Sequence, residues 1–316
     1  MEVFLFVLIA VLFLTLVSGA YLFIFACVRK KDLPWLVEEE IKKTPYRKYY
    51  DIISASDRWL KEHDAQDVSI VSDDGFKLHG LWIPAKQARG TLLFAHGYRS
   101  TFLLDFGPAF ARYHDLGMNI LVPYQRAHGK SEGRFITFGV KESCDMLRWL
   151  EFHNRNFGDF PVILDGLSMG ASTMMYLADK ELPNNVKGMI ADCGFTSPKE
   201  IISSVFKRVT HLPAGPSVWV ADIFARIFAG FSFYECDTRS SLSKNKLPII
   251  MVHGTADDFV PCEMTRQGYS VCSGPKTLFL VDGADHGLSF LKDAEGYNKL
   301  IYELLDTHVG KKEHKM

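Results

Sequence analysis

Apolar and polar positions along the chain fall into three regimes. The first is Met1–Val28, MEVFLFVLIAVLFLTLVSGAYLFIFACV, which carries one charge, Glu2, and is otherwise almost wholly apolar. A helix needs about 20 such residues to cross a bilayer, so residues 1–28 are expected to form an uncleaved single-pass anchor. A cleaved signal peptide ending near Ser18-Gly19-Ala20, or lipid attachment at Cys27, would each want a basic leading segment, and none precedes the run. Arg29, Lys30 and Lys31, then Lys42, Lys43, Arg47 and Lys48, follow it. By the positive-inside rule they put the rest of the chain on the cytoplasmic face, although Glu38, Glu39 and Glu40 intervene.

The second regime is strict alternation. QDVSIVSDDGFKLHGLWIPA reads as two half-buried strands joined at Asp73-Asp74-Gly75, an antiparallel hairpin. The third is a succession of short, mainly apolar runs, Thr91–Ala95, Asn119–Pro123, Val162–Asp165, Val186–Ala191, Leu247–Val252 and Thr277–Val281. Between them lie amphipathic segments such as KESCDMLRWLEFHNRNF, with Met146, Leu147, Leu150 and Phe157 on one face. Strands apolar along their whole length, alternating with helices, predict a mainly parallel sheet covered on both faces. The fold class is therefore α/β, with an antiparallel hairpin at its start. The expected organisation is an anchor (1–28), a juxtamembrane helical segment (29–66) and one α/β domain (67–310).

The alternation breaks once, over about 194–246. PSVWVADIFARIFAGF there places Val220, Ile223, Phe224, Ile227, Phe228 and Phe231 at helical spacing. This stretch is expected to be a small lid over the carboxyl ends of the strands, where α/β proteins bind ligands. Trp219, Ile223, Phe224, Ile227 and Phe228 are its candidate substrate-binding residues.

Composition narrows the function. The 316 residues are 47% apolar and carry a formal net charge of −1, which gives no electrostatic reason to expect nucleic acid as a partner. The six cysteines are scattered without a C-x-x-C pair, so no zinc or redox motif is present and they are expected to be reduced and structural.

The candidate chemistry sits at the ends of the apolar runs. Gly166, Ser168 and Gly170 spell G-x-S-x-G where a strand is expected to turn into a helix. A serine hydroxyl attacks well only when a base takes its proton and an acid orients that base. HGTADDFVP, after the Leu247–Val252 run, offers Asp257 and Asp258, and DGADHG, after Thr277–Val281, offers His286. The oxyanion formed on attack needs two backbone N–H donors. Met169 follows the elbow, and Tyr98 lies in the HGYRS loop after Thr91–Ala95.

Taken together, LLFAHGY, VPYQRAHGKSEGR, LDGLSMGA, IIMVHGTADDFVP and DGADHG resemble the α/β-hydrolase superfamily, closest to bacterial serine aminopeptidase-like and monoacylglycerol-lipase-like hydrolases. The resemblance covers about residues 67–308. Its pattern H-G-x-x-D-x-x-V-P, laid on His253–Pro261, implies Asp257 as the acid. It implies a Ser168–His286–Asp257 triad with Tyr98 and Met169 as the oxyanion donors, and needs no metal or organic cofactor. Tyr124 and Asp165 depart from the pattern, where Asp and a small or uncharged residue are more usual. The implied activity is carboxylic-ester hydrolysis, of acyl or lipid-like esters given the apolar lid and anchor. A peptidase, with Asp222, Glu235 or Asp237 holding a substrate amino group, an acyl-thioesterase, or an inactive binding protein are the alternatives. Because no candidate catalytic residue precedes Thr91, the anchor is expected to be dispensable for soluble short esters.

Overall fold

The continuous apolar run at the amino terminus forms a single helix, α1 (Glu2–Cys27), in the computed structural model, which describes residues 1–30, 41 and 43–311. Lys31, Glu38, Glu39, Glu40 and Lys42, part of the charge pattern flanking the anchor, lie outside the described residues. A 3₁₀ turn (Pro45–Tyr49), opened by the Thr44 side chain accepting from Tyr46 N, leads into α2 (Tyr50–Glu62).

The alternating segment is the hairpin of β1 (Gln66–Val71) and β2 (Lys77–Ile83), paired antiparallel from Gln66↔Trp82 to Val71↔Lys77. The α/β succession follows. β3 (Gly90–Ala95) leads through α3 (Phe102–Asp105) and α4 (Gly107–Asp115) to β4 (Met118–Pro123). Then α5 (Val140–Phe157) precedes β5 (Val162–Leu167), and α6 (Met169–Met175) precedes β6 (Val186–Asp192). The insertion after β6 holds α7 (Pro198–Thr210), α8 (Gly215–Phe224), a π-turn over Ala225–Ala229 and α9 (Thr238–Leu242). β7 (Ile249–Gly254), α10 (Cys262–Val271), β8 (Lys276–Val281), α11 (Ser289–Lys292) and α12 (Ala294–His308) complete the domain.

The eight strands form one sheet in the order β1-β2-β4-β3-β5-β6-β7-β8. β2 pairs antiparallel with both β1 and β4, and every other neighbouring pair is parallel. β3, β4, β5 and β7 are buried at every position, as strands covered on both faces must be. One face packs Phe110 and Tyr113 of α4 and Tyr297, Ile301 and Leu305 of α12. The other packs Met146, Trp149 and Leu150 of α5 and Met174 of α6.

A third apolar cluster lies over the carboxyl ends of the strands and joins the insertion to α1. Leu22, Phe23, Ala26 and Cys27 are buried there with Phe138, Phe195, Val218, Ala221 and Phe233. α1 crosses α8 closely at Gly19, where a Cβ would stand 2.4 Å from Val220 Cβ and 2.9 Å from Ser217 O. Beside that crossing, Ser18 Oγ and Ser217 Oγ share a hydrogen bond of 2.9 Å. The helix end is fixed by main chain: Ile136 N donates to Cys27 O at 2.7 Å and Arg29 N to Arg134 O at 2.8 Å, around an antiparallel Val28↔Phe135 bridge.

Candidate active site

Ser168 stands between β5 and α6 with φ 56° and ψ −116°, a left-handed corner in which a non-glycine residue is strained. The flanking glycines explain the motif: a Cβ on Gly166 would meet Gly170 O at 2.4 Å, and one on Gly170 would meet Ala95 O at 1.7 Å. Only without those side chains can α6 start so close to β3 and β5. Ser168 N donates to Asp192 O at 2.8 Å, which ties the corner to the end of β6.

The hydroxyl so presented meets the loop after β8. His286 Nε2 lies 2.9 Å from Ser168 Oγ, and His286 Nδ1 lies 2.7 Å from Asp257 Oδ2. Because Nδ1 faces a carboxylate it carries the proton, which leaves Nε2 to accept from the serine. Asp257 accepts at Oδ1 from Phe259 N and Val260 N, each at 2.9 Å. His253 Nε2 lies 3.1 Å from Asp257 Oδ2 and 2.9 Å from Val260 O, so this ring nitrogen is a donor too. Burial works to raise Asp257, but the hydrogen bonds from His253 and His286 outweigh it and hold the carboxyl well below the usual range. Asp258 is exposed and turns to Arg208, at 3.4 Å. Of the two neighbouring acids, the geometry brings Asp257 to His286.

The two backbone N–H groups expected to receive an oxyanion belong to Met169 and Tyr98. That of Met169 is the first of α6, among those a helix leaves without an internal partner. Tyr98 follows Gly97, where a Cβ would stand 3.5 Å from Ser168 Cβ. Three side chains hold this loop, of which the sequence singled out only His128, as a brace of the loop after Asn119–Pro123. Asp105 accepts from Gly97 N at 2.7 Å and from Ser100 Oγ at 2.6 Å. His128 Nε2 accepts from Arg99 N at 3.0 Å. Burial, with His96 next in effect, pushes His128 down to about 3, so the ring is the neutral acceptor this bond requires. Arg99 itself reaches α1, donating to Phe25 O at 2.6 Å and Val28 O at 3.0 Å. The two departures from the family pattern are accommodated locally. Burial pushes the Asp165 carboxyl well above its ordinary range, which favours the uncharged acid within the sheet. Tyr124 packs edge-on against Phe102, with ring centroids 5.1 Å apart.

A cavity of about 470 Å³ opens at Ser168. Its walls are mainly apolar, with Phe138 and Phe259 from loops, Val205 and Phe206 from α7, and Leu22 and Phe25 from α1, and Arg99 and Arg208 also border it. This corrects the expectation for the insertion, since Trp219, Ile223, Phe224, Ile227 and Phe228 are not among the lining residues. Trp219, Ile227 and Phe228 are exposed, and Phe224 stacks on Phe228 and on Phe23 of α1, with centroids 5.9 and 6.1 Å apart. α8 is apolar nearly all round, so its periodicity marked a stripe without saying which side faces inward. Val218, Ala221 and Ala225 take the core side. The inward stripe of the insertion is on α7, in KEIISSVFKRVT.

Cys193, Asp257 and His286 bring potential ligand atoms within 4.8 Å of one another. The set suits a metal poorly: Asp257 and His286 are bonded to each other, and burial pushes the Cys193 thiol well above its ordinary range, away from the thiolate a metal needs.

No family model matches the chain. Among curated proteins, it is 27% identical to the uncharacterised Bacillus subtilis (strain 168) protein YqkD over 241 residues, 75% of this chain and 78% of that one. It is 26% identical over 195 residues to protein bem46 of Schizosaccharomyces pombe, 61% of this chain and 60% of that one. Among solved structures, the Pyrococcus furiosus esterase Pf2001 superposes with TM-score 0.65 at 22% identity, over 79% of this chain and 93% of that one. The α/β hydrolase GrgF of Penicillium sp. sh18 does so with TM-score 0.59 at 18% identity, over 78% and 99%. The chain has the α/β-hydrolase fold, with an antiparallel start to its sheet and a long apolar helix before it.

Proposed function

We propose that the protein is a membrane-anchored serine hydrolase that cleaves carboxylic esters. One observation carries the reading: at a strained strand-to-helix corner, Ser168 Oγ, His286 and Asp257 form a continuous hydrogen-bonded relay of 2.9 and 2.7 Å that opens on an apolar cavity. In this reading His286 Nε2 takes the hydroxyl proton as Ser168 attacks the ester carbonyl. The N–H groups of Met169 and Tyr98 receive the oxyanion, and His286 returns the proton to the leaving alcohol. Water, deprotonated by the same nitrogen, then releases the acid from the acyl-serine. Asp257 holds the imidazole in its working tautomer and balances the charge of the imidazolium. The fold is shared with esterases, which supports an ester-type hydrolase; the substrate class rests on the cavity.

The aminopeptidase alternative is disfavoured by where the insertion's acids go. Asp222 accepts from Arg226, Ser232 and Phe233 N, Asp237 pairs with Arg239, and neither they nor Glu235 lines the cavity. A thioester would use the same machinery. Anchoring is supported by the length and apolarity of Glu2–Cys27, whose most apolar 18-residue window has mean hydropathy 2.8. The packing of Gly19 and Ser18 against α8 supports retention of the helix after synthesis. Arg29 and Lys30 immediately after it support a cytoplasmic catalytic domain.

The test is fluorophosphonate labelling with peptide mapping, beside turnover of matched p-nitrophenyl esters, thioesters and aminoacyl anilides. Labelling at Ser168 with ester turnover above the others supports the reading. Turnover of the anilides alone overturns it in favour of a peptidase, and no labelling at all in favour of a binding protein.

A further inference from the structure

The helix that looks like a tether is built into the site. Five α1 residues, Ser18, Tyr21, Leu22, Phe25 and Ala26, line the cavity that contains Ser168. Its last turn is also latched to the oxyanion loop: Tyr98 Oη donates to Ala26 O at 2.8 Å, and Arg99 donates to the carbonyls of Phe25 and Val28. These lie among the carbonyls a helix end leaves unpaired, and a cation there also meets the favourable end of the helix dipole. Neither feature is needed by a tether.

Helix length then sets the depth of the domain. Up to Val17 the large side chains of α1 point outward, whereas from Ser18 the helix meets the insertion. Residues 2–17 rise about 24 Å, against the roughly 30 Å of a bilayer's hydrocarbon core. The remainder must come from the turns that touch the insertion. That brings Phe228, exposed and with its ring centroid 6.1 Å from that of Phe23 of α1, toward the level of the bilayer surface. The exposed Trp219 and Ile227 of the same insertion go with it, and a tryptophan is commonly found at that level.

We propose that α1 is a wall of the substrate site, and that the substrate is an ester carrying one long acyl chain, resident in the membrane, whose tail lies against the last three turns of α1. A single tail is argued by the cavity, which at about 470 Å³ has the volume of one small-ligand pocket and begins at one nucleophile. The inference rests on the ester-hydrolase reading, and it revises the expectation that the anchor is dispensable for soluble esters: without α1 the cavity lacks one side.

The experiment uses the full chain in phosphatidylcholine vesicles, treated with a dodecyl fluorophosphonate that carries a diazirine near the end of its alkyl chain. After labelling at Ser168 and photolysis, cross-links are expected in the peptide spanning Ser18–Cys27. Labelling at Ser168 with cross-links confined to other segments overturns the proposal and leaves the hydrolase reading standing. Labelling by an ethyl fluorophosphonate but not by the dodecyl one does the same. No labelling by either removes both. As a second measurement, Ala26→Phe should lower the dodecanoyl-to-acetyl ratio of kcat/KM at least tenfold, whereas Leu14→Phe, on the outward part of the same helix, should leave the ratio unchanged. An unchanged ratio in a folded Ala26→Phe protein overturns the proposal.

Discussion

The two sides of the cavity are made in opposite ways. The polar side is drawn from the ends of β3, β5, β7 and β8, and its groups are held by directional hydrogen bonds: Ser168 N to Asp192 O, Asp257 from Phe259 N and Val260 N, and the Gly97 loop by the Asp105 carboxylate. The apolar side comes from α1 and α7, far apart in sequence, and is held mostly by packing of side chains such as Phe23, Phe138 and Phe195. Directional bonds fix atoms to fractions of an ångström. Dispersion fixes a volume but tolerates exchange of one hydrocarbon for another. The comparison teaches that chemistry and selectivity in this molecule should fail separately.

The sharpest way to break it is Ser168→Ala, which should reduce ester turnover by about 10⁴-fold or more and abolish fluorophosphonate labelling. Circular dichroism and melting should show the fold intact, since the corner's side chain packs against nothing the core needs. Retained turnover would move the nucleophile elsewhere. Asp257→Asn should cost about 10⁴-fold through a mis-set His286 tautomer, and Asp258→Asn, on an exposed side chain facing Arg208, should change kcat/KM by less than about twofold. Equal losses would show that the polar side is not held as its bonds suggest.

The apolar side predicts a graded effect instead. Each methylene buried there is worth about 0.8 kcal/mol at most, so kcat/KM should rise several-fold for every two carbons from acetyl upward until the cavity is full. Phe206→Ala, on α7, should flatten that profile. A flat profile in the wild type would mean that this side does not receive the acyl chain.

A smaller effect sits between the two sides. Burial, partly offset by the bond from Ser289, pushes Asp192 up to about 6, whereas an unfolded aspartate titrates near 3.9. Between those values the folded chain keeps a proton that the unfolded chain has released. Folding therefore takes up a proton, and stability from this group falls as pH rises from about 4 to about 6. Asp192→Asn removes the titration, so wild type should lose about 3 kcal/mol relative to the variant across that window, measured by denaturant unfolding at each pH.

This division also explains what could be read in the chain. Strand positions were legible because β3, β4, β5 and β7 are mainly apolar and buried at every step, and the hairpin because its alternation meets a turn at Asp73-Asp74-Gly75. Ser168, His286 and Asp257 stood out because elbow and loop geometry demand glycines at fixed offsets, so the chemistry leaves a local trace. The roles of α1 and α7 left none. A long apolar run satisfies a bilayer and a pocket wall equally, and nothing in Leu22 or Phe25 distinguishes the two. The stripe at Ile223, Phe224 and Ile227 was real, but its side was settled by α1 docking at Gly19, a contact some 200 positions distant in sequence. Asp105 and Arg99 were missed because a hydrogen bond from a side chain to a loop's backbone has no periodicity.

The junction after α1 has a kinetic consequence. Besides the Val28↔Phe135 bridge, Arg29 donates to Gly129 O at 2.6 Å and Ser131 O at 2.7 Å, so the helix enters the domain without slack. An enzyme on a loose linker sweeps a hemisphere of solution; one joined this way keeps a single attitude to the bilayer. On the proposed reading, with α1 in a bilayer and an ester resident there, encounters with substrate would become a two-dimensional search confined to one leaflet, paced by lateral diffusion and surface density rather than by bulk concentration.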